Sequence, residues 1–473
     1  MSPIILEIPA HLKGLAKAMR AMVGCVTTFE RDARRHREVD YRAHEQALAD
    51  CAAEVERQAH GASLASLECD HDRIRIDGVA HVRVLRDVVA EYKTRVGPVP
   101  VSRSLFRRGG IRNDATVNTV TLRSGAVEDE WLPDTASAMA YRLARGTSRE
   151  AEQASKVERT LPYSHSSFEK VGHAVGAEMV SKRVEIEEAL VAEFEIPKQA
   201  RSISVALDRT SMPMEEPRPR PVGRPRKDAP KNPIEVVYRM AWTGTVTLHD
   251  GDGNALHTIR YGRMPHENGH SLAEALASDA LALVRRCPRL KVVTLGDGAE
   301  QIQALLAEHV DTESFGDVRR LIDFWHVFEK LGEALVVMEP DDNKRKERLA
   351  EHRRRLCTRR DAPATILAEL RVSGRENLAN EDCPVHAAIT YFENQAHRMD
   401  YVTARRDGLP IGSGNVEATC KSLFGLRMKR PGARWKTPTG EHVITLRAHL
   451  LSDRWARASE IALPPPRVEI RAA

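Results

Sequence analysis

Residues 202–208 read SISVALD and residues 290–298 read LKVVTLGDG. Each is a short apolar run that ends on an aspartate, the pattern of a buried strand opening into a turn. Asp208 follows Ser204, Val205, Ala206 and Leu207; Asp297 follows Val292, Val293, Thr294 and Leu295 and precedes Gly298. Between the two runs, EVVYRMAWTGTVTLHD and ALHTIRYGRM read as two strands joined around Gly251 and Gly253, and SLAEALASDALALVRRC reads as an amphipathic helix. After Asp297 come a helix, AEQIQALLAEHV, and RRLIDFWHVFEKL, a strand running into a helix. Three strands, helix, strand, helix, strand argue for a mixed sheet covered on both sides.

That is the element order of an RNase H-like α/β domain. In open α/β sheets ligands gather at the carboxyl ends of strands. Adjacent strands would bring Asp208 and Asp297 together there, and two close carboxylates repel unless a cation sits between them. Mg²⁺ suits such a pair, because it takes one or two carboxylates plus water and phosphate oxygens. Glu417 is a third acid, in the first turn of a helix expected from about Asn415, after Gly412, Ser413 and Gly414. Those glycines permit close approach of backbone and phosphate. Asp323 in LIDFWH is the competing third ligand, and His326 lies one helical turn further on.

The chain has 473 residues, enough for two to four domains. No apolar run approaches the about 18 residues of a membrane helix. The start, MSPIILEIPAHLKGLAKAMR, lacks a basic n-region and a small-residue cleavage site, so a cytoplasmic location is expected, nucleoid-associated when bound to DNA. Seven scattered cysteines without a CxxC pair argue against a disulfide framework or a thiolate zinc site. Net charge is only +5, but the charge is clustered. Residues 217–231 hold six basic residues and one acid, 344–360 nine and two, 401–436 eight and two. Three such clusters point to a polyanion touched at several places.

Residues 30–57 read as one charged helix. DRIRIDG, AHVRVL, AEYKTRV and VPVSRSLFRR alternate polar and apolar residues over 72–107, as a small antiparallel meander does. Residues 134–185 read as short helices, one of them capped by Ser166 or Ser167, compatible with a helix-turn-helix or with any small bundle. HENGH at 266–270 matches the zincin pattern HExxH. Pro265 precedes it, Asn268-Gly269 interrupts it, and Ser271 is the better N-cap for the helix that follows, so a metalloprotease is set aside.

VALDRTSM at 205–212, GDGAE at 296–300, DFWHVFEKL at 323–331, LPIGSGNVEATCK at 409–421 and RMKRPGARW at 427–435 resemble DDE-type transposases of bacterial insertion sequences, the Kra group in particular. The resemblance covers roughly residues 85–456. It implies an RNase H-like fold with an Asp, Asp, Glu triad at Asp208, Asp297 and Glu417, the last two separated by a helical insertion over about 333–400. It implies two Mg²⁺ ions (or Mn²⁺), cleavage of a phosphodiester at the transposon end by water, and attack of the freed 3′-OH on target DNA. The implied partner is double-stranded DNA, as terminal inverted repeats and target, bound by a homodimer or higher assembly, with no membrane.

The expectation is a multidomain α+β protein. Its divisions are a helical region at 1–71, the meander at 72–125, a helical region at 126–198 with a possible DNA-reading helix-turn-helix, an RNase H-like α/β catalytic core at 199–332, the helical insertion at 333–400, and the Glu417 helix with C-terminal helices at 401–473. DNA contacts are expected from Arg224, Arg226 and Lys227 in VGRPRK, which resembles an AT-hook core, and from Lys421, Arg427, Lys429, Arg430 and Arg434. Trp435 either stacks on an unpaired base or packs in the core. Two rivals stand beside the transposase: a non-catalytic DNA-binding regulator or inactive remnant, and an RNase H-like metal-dependent nuclease.

Overall fold

The computed structural model describes residues 6–111, 113–215, 236–265, 268–373 and 382–473. The chain is mixed α+β with two sheets and divides into two compact units, Met1–Glu178 with Ser459–Ala473, and Met179–Ala458. Among the described residues no helix is long and apolar enough to cross a membrane.

In the first unit the charged stretch at 30–57 is not one helix. α1 (Lys13–Arg34) ends before His36, which takes a φ of 53°, and α2 (Tyr41–Ala65) starts afresh where the Asp40 carboxylate accepts the Ala43 N–H at 3.1 Å. A left-handed residue stops one helix and an Asp cap opens the next. The alternating stretch folds as β1 (Arg73–Ile76), β2 (Val79–Thr94) and β3 (Gly97–Arg108), all antiparallel, with the C-terminal strand Ile470–Ala472 on the free edge of β1. AHVRVL and AEYKTRV lie on one strand, because register shifts between Arg83 and Val88, with Asp87 at a φ of 55°, bend β2 without ending it. Alternation puts Ile74, Ile76 and Phe106 inward, and Tyr92, Val99 and Val101 against Leu64 of α2 and Val120 of α3 (Thr119–Ser124). Then follow α4 (Pro133–Arg145), α5 (Ser148–Glu158) and α6 (His165–Ser181). Thr147 and Glu150 form a capping box on α5. At α6 the capping oxygen belongs to Ser164, which accepts the Ser167 N–H; Ser166 and Ser167 lie inside the helix.

The second unit opens with α7 (Arg183–Glu193) and is built on β4 (Ser202–Glu215), β5 (Val236–His249), β6 (Ala255–Arg263), β7 (Lys291–Gly296) and β8 (Val318–Ile322). The sheet order is β6-β5-β4-β7-β8. β4, β5 and β6 are antiparallel neighbours; β4, β7 and β8 run parallel. The parallel crossovers are α8 (His270–Arg286), and α9 (Glu300–His309) with α10 (Thr312–Phe315). α8 starts one residue before Ser271: Gly269, at a φ of 85°, turns the chain directly into the helix, where a side chain would crowd Trp242 and Leu305. His266 and Glu267 of HENGH lie outside the described residues.

The period of two decides which strand residues meet which helices. Ile203, Val205 and Leu207 pack with Leu272, Leu276 and Leu283 of α8 and Ile302, Leu305 and Leu306 of α9. Each such buried side chain contributes about 1.5–3 kcal/mol. Beyond β8 the described residues are helical: α11 (Phe324–Met338), α12 (Asp342–Thr358), α13 (Ala362–Ser373) and α14 (Pro384–Gln395), around Phe324, Leu331, Leu356, Ile366 and Phe392. The second face of the sheet, Ala206, Val293, Leu295 and Leu321, is covered by Ala404 of α15 (Tyr401–Arg406), Leu409, and Val416 of α16 (Gly414–Thr419). The chain continues from α16 through a π-helical turn, Cys420–Gly425, into α17 (Leu426–Met428) and α18 (Thr437–Leu451).

Candidate functional site

In the parallel ladder Ala206 pairs with Leu295, an offset of 89 residues, and the same offset separates Asp208 from Asp297. Both acids therefore stand two residues past one rung of the ladder. Ala206 and Leu295 share the second face of the sheet, so alternation directs Asp208 and Asp297 to that face. α16 covers the same face, Val416 being part of its core, and Glu417 is the next residue. The ladder thus sets Asp208 and Asp297 at the same level of neighbouring strands, and the helix that carries Glu417 packs on the Ala206 and Leu295 face.

Asp208 is half-buried. Its Oδ1 accepts the Arg209 N–H at 2.6 Å, and its Oδ2 accepts the Cys420 thiol at 3.2 Å. Burial and then the Asp208 charge push the Cys420 pKa up to about 12, so the thiol keeps its proton and stays a donor. Cys420 stands three residues after Glu417, on the same helical face; that spacing is the one sequence signal that ties it to the site. Glu417 Oε1 lies 3.6 Å from His326 Nε2, and the other ring nitrogen of His326 lies 3.5 Å from Glu329.

Asp297 follows β7 directly. Its Oδ1 accepts the Ala299 N–H at 2.9 Å. Two residues of α14 that sequence reading missed hold this turn: Tyr391 donates its hydroxyl to the Asp297 carbonyl at 2.8 Å, and Gln395 donates to the Gly298 carbonyl at 3.1 Å. Gly298 has a φ of 97°, and a Cβ there would stand 2.9 Å from the Tyr391 ring, so glycine alone permits the approach. Burial, then Asp297 and Asp323, raise the Tyr391 pKa, which keeps its hydroxyl a donor.

Asp323 is placed differently. It is fully buried and caps α11: Oδ1 accepts the Trp325 N–H at 2.6 Å and the His326 N–H at 3.2 Å, and Oδ2 accepts the Ser413 N–H. Of the two candidates for the third acid, Glu417 keeps a carboxylate turned to side chains and solvent, while Asp323 gives its oxygens to backbone amides.

The basic residues divide too. Lys421 and Lys429 are exposed, and Lys429 reaches Thr210 beside Asp208. Arg430 donates to the Leu426 carbonyl, and Arg434 lies 3.8 Å from Glu215. Arg427 is buried with its guanidinium 5.2 Å from the Trp435 ring, so it does not present charge to a groove. Trp435 donates its indole N–H to the Met428 carbonyl and pairs by its backbone with β4 at Pro213 and Glu215. In the cluster at 344–360, Arg345, Arg354, Arg355 and Arg359 are paired with Asp342, Glu351, Glu369 and Asp361. At 134–185, Lys156 and Lys170 are paired with Glu152 and Glu128. Arg224, Arg226 and Lys227 lie outside the described residues.

Among the described residues, the group of three His, Cys, Asp or Glu side chains whose ligand atoms all lie within 4.8 Å is His270, Glu308 and His309, at the surface where α8 begins and α9 ends. Asp208, Asp297 and Glu417 do not form such a group. No model of a known protein family matches the chain, and no curated protein is similar to it.

Proposed function

We propose that the second unit is an RNase H-like DDE core and that the protein is an insertion-sequence transposase, cleaving and joining DNA strands at transposon ends. The observation that carries this reading is the shared rung: two aspartates at the same level of adjacent parallel strands, facing the side on which the Glu417 helix packs. The sheet order supports it, three antiparallel strands followed by two parallel ones with the first strand in the middle. So does the resemblance of the surrounding motifs.

The donor set fits Mg²⁺: three half-exposed carboxylates, all hard oxygen donors. Asp208, Asp297 and Glu417 would hold two ions. When bound, such ions supply a nucleophilic water at neutral pH and offset charge on the attacking and leaving oxygens. The chain's own groups then do the positioning. The Cys420 thiol orients Asp208, His326 orients Glu417, and Tyr391 with Gln395 fixes the turn that carries Asp297. Lys421 and Lys429 hold DNA phosphates beside them.

The test uses labelled terminal-repeat DNA with Mg²⁺. Cleavage followed by joining to target DNA is expected, and Asp208→Ala, Asp297→Ala and Glu417→Ala should each reduce cleavage on the order of 10⁴-fold, non-additively, with DNA binding kept. Cleavage without joining would mean a nuclease; binding without cleavage would mean a regulator or an inactive remnant.

A further inference from the structure

Arg454, just after α18, is 8% exposed, and its Nε and Nη2 are buried without a hydrogen-bond partner. Its guanidinium carbon lies 5.9 Å from the ring of Phe194. It lines a cavity of about 20 Å³ walled by β6, α18 and α7, which Arg183, Arg260 and Arg263 also line. Arg263 is 4% exposed, and its Nε is likewise buried and unpartnered. Buried polar atoms are almost always paired, so these orphaned donors around one cavity require an explanation.

The charges around the cavity do not cancel. Four guanidiniums line it. Against them stand Glu187, 3.3 Å from Arg263, and Glu441, which accepts from Arg183 and from the Met264 N–H. Asp279 accepts the Tyr261 hydroxyl, and burial pushes its pKa up to about 7, which weakens its share of the negative charge. The two histidines add no compensation. Burial and then Arg454, Arg183 and Arg263 hold His449 down at about 3, and burial and then Arg454 and Arg260 lower His257. Asp453, beside His257, is exposed to solvent. The balance is an excess of buried positive charge, which is costly unless an anion accompanies it.

We propose that this cavity binds one small inorganic anion of chloride size, with Arg454 as its principal donor and Arg263 as the second. The size follows from the volume, which matches one water-sized occupant. The charge follows from the arginines, because water would fill the space without offsetting them.

The full chain, exchanged into sodium gluconate, is titrated with chloride at constant ionic strength while thermal unfolding is followed. The melting temperature is expected to rise by about 2–4 °C and saturate. Bromide should reproduce the rise; phosphate and sulfate should not. Arg454→Met should show no chloride response and be at least as stable as the wild type in gluconate, since it removes an unpaired buried charge. Should that variant fail to fold, ³⁵Cl line broadening by the wild-type protein, reversed by bromide, reads the site directly. Equal unfolding curves in chloride and gluconate, or an undiminished chloride response in Arg454→Met, would overturn the proposal. A saturable rise with phosphate would overturn its size.

Discussion

β7 and β8 lie side by side in one parallel ladder, and each runs out onto an aspartate. Asp297 gives Oδ1 to one backbone amide and stays half-exposed, whereas Asp323 is buried and receives three. The two look alike in the sequence: apolar run, aspartate, helix. What separates them is the supply of backbone donors. A carboxylate that satisfies several N–H groups at a helix start is a cap, and its oxygens are taken. A strand-end acid with an oxygen left over is available for chemistry.

The largest effects test that division directly. Asp297→Ala should reduce cleavage on the order of 10⁴-fold while changing stability by about 1 kcal/mol, the worth of one hydrogen bond. Asp323→Ala should cost about 3–5 kcal/mol in urea unfolding, because buried amides lose their acceptor. If Asp323→Ala unfolds like the wild type and loses cleavage instead, the comparison is inverted and Asp323 is the third ligand. His249 extends the same logic to a neutral group. Ser204 donates to its Nε2 at 2.8 Å, and its Nδ1–H donates to the Gly253 carbonyl at 3.1 Å, so both ring nitrogens are taken. Burial lowers its pKa to about 4. The folded state therefore binds fewer protons than the unfolded one. This stability is fully present above the unfolded value near 6.5 and is lost as pH falls toward 4, at up to about 1.4 kcal/mol per unit. His249→Gln should flatten acid unfolding in that window; an unchanged pH profile would show that the ring is not held neutral.

Smaller effects sharpen the comparison. Tyr391→Phe deletes the brace on the Asp297 carbonyl and should lower cleavage about 10-fold with Asp297 itself intact, the usual loss when an outer support is removed. Unchanged kinetics would mean that the turn holds itself. Lys421→Ala with Lys429→Ala should flatten the salt dependence of DNA binding by about 0.9 per lost phosphate contact. A slope equal to that of the wild type would remove this flank from the DNA path.

The strands of the second sheet were readable because buried parallel strands are continuous apolar runs, and the adjacency of the strands before Asp208 and Asp297 followed from the element order. Tyr391 and Gln395 were not readable, because nothing in a helix sequence shows which distant turn its hydroxyl or amide will meet. The backbone pairing of Trp435 with β4 was hidden for the same reason, its partner Met214 lying far back in the chain. The break between α1 and α2 was missed because helix-forming residues on both sides masked the Asp40 cap. Arg427 showed the limit of counting charge: a basic residue in a basic run can still be buried under an indole.

The contact between Cys420 and Asp208 closes a span of 212 residues, and that between Tyr391 and Asp297 one of 94. Loops of that length close late, because their entropy must be spent before the contact returns anything. The β7–β8 ladder, whose partners are 26 residues apart, and the α11–α14 cluster are more local. The carboxylate face is therefore expected to be among the last parts to assemble on folding and the first to open. Substitutions there should leave the folding rate nearly untouched and appear in the rate of unfolding. For this protein, wear at the site would be counted in shortened native lifetimes rather than in slower maturation.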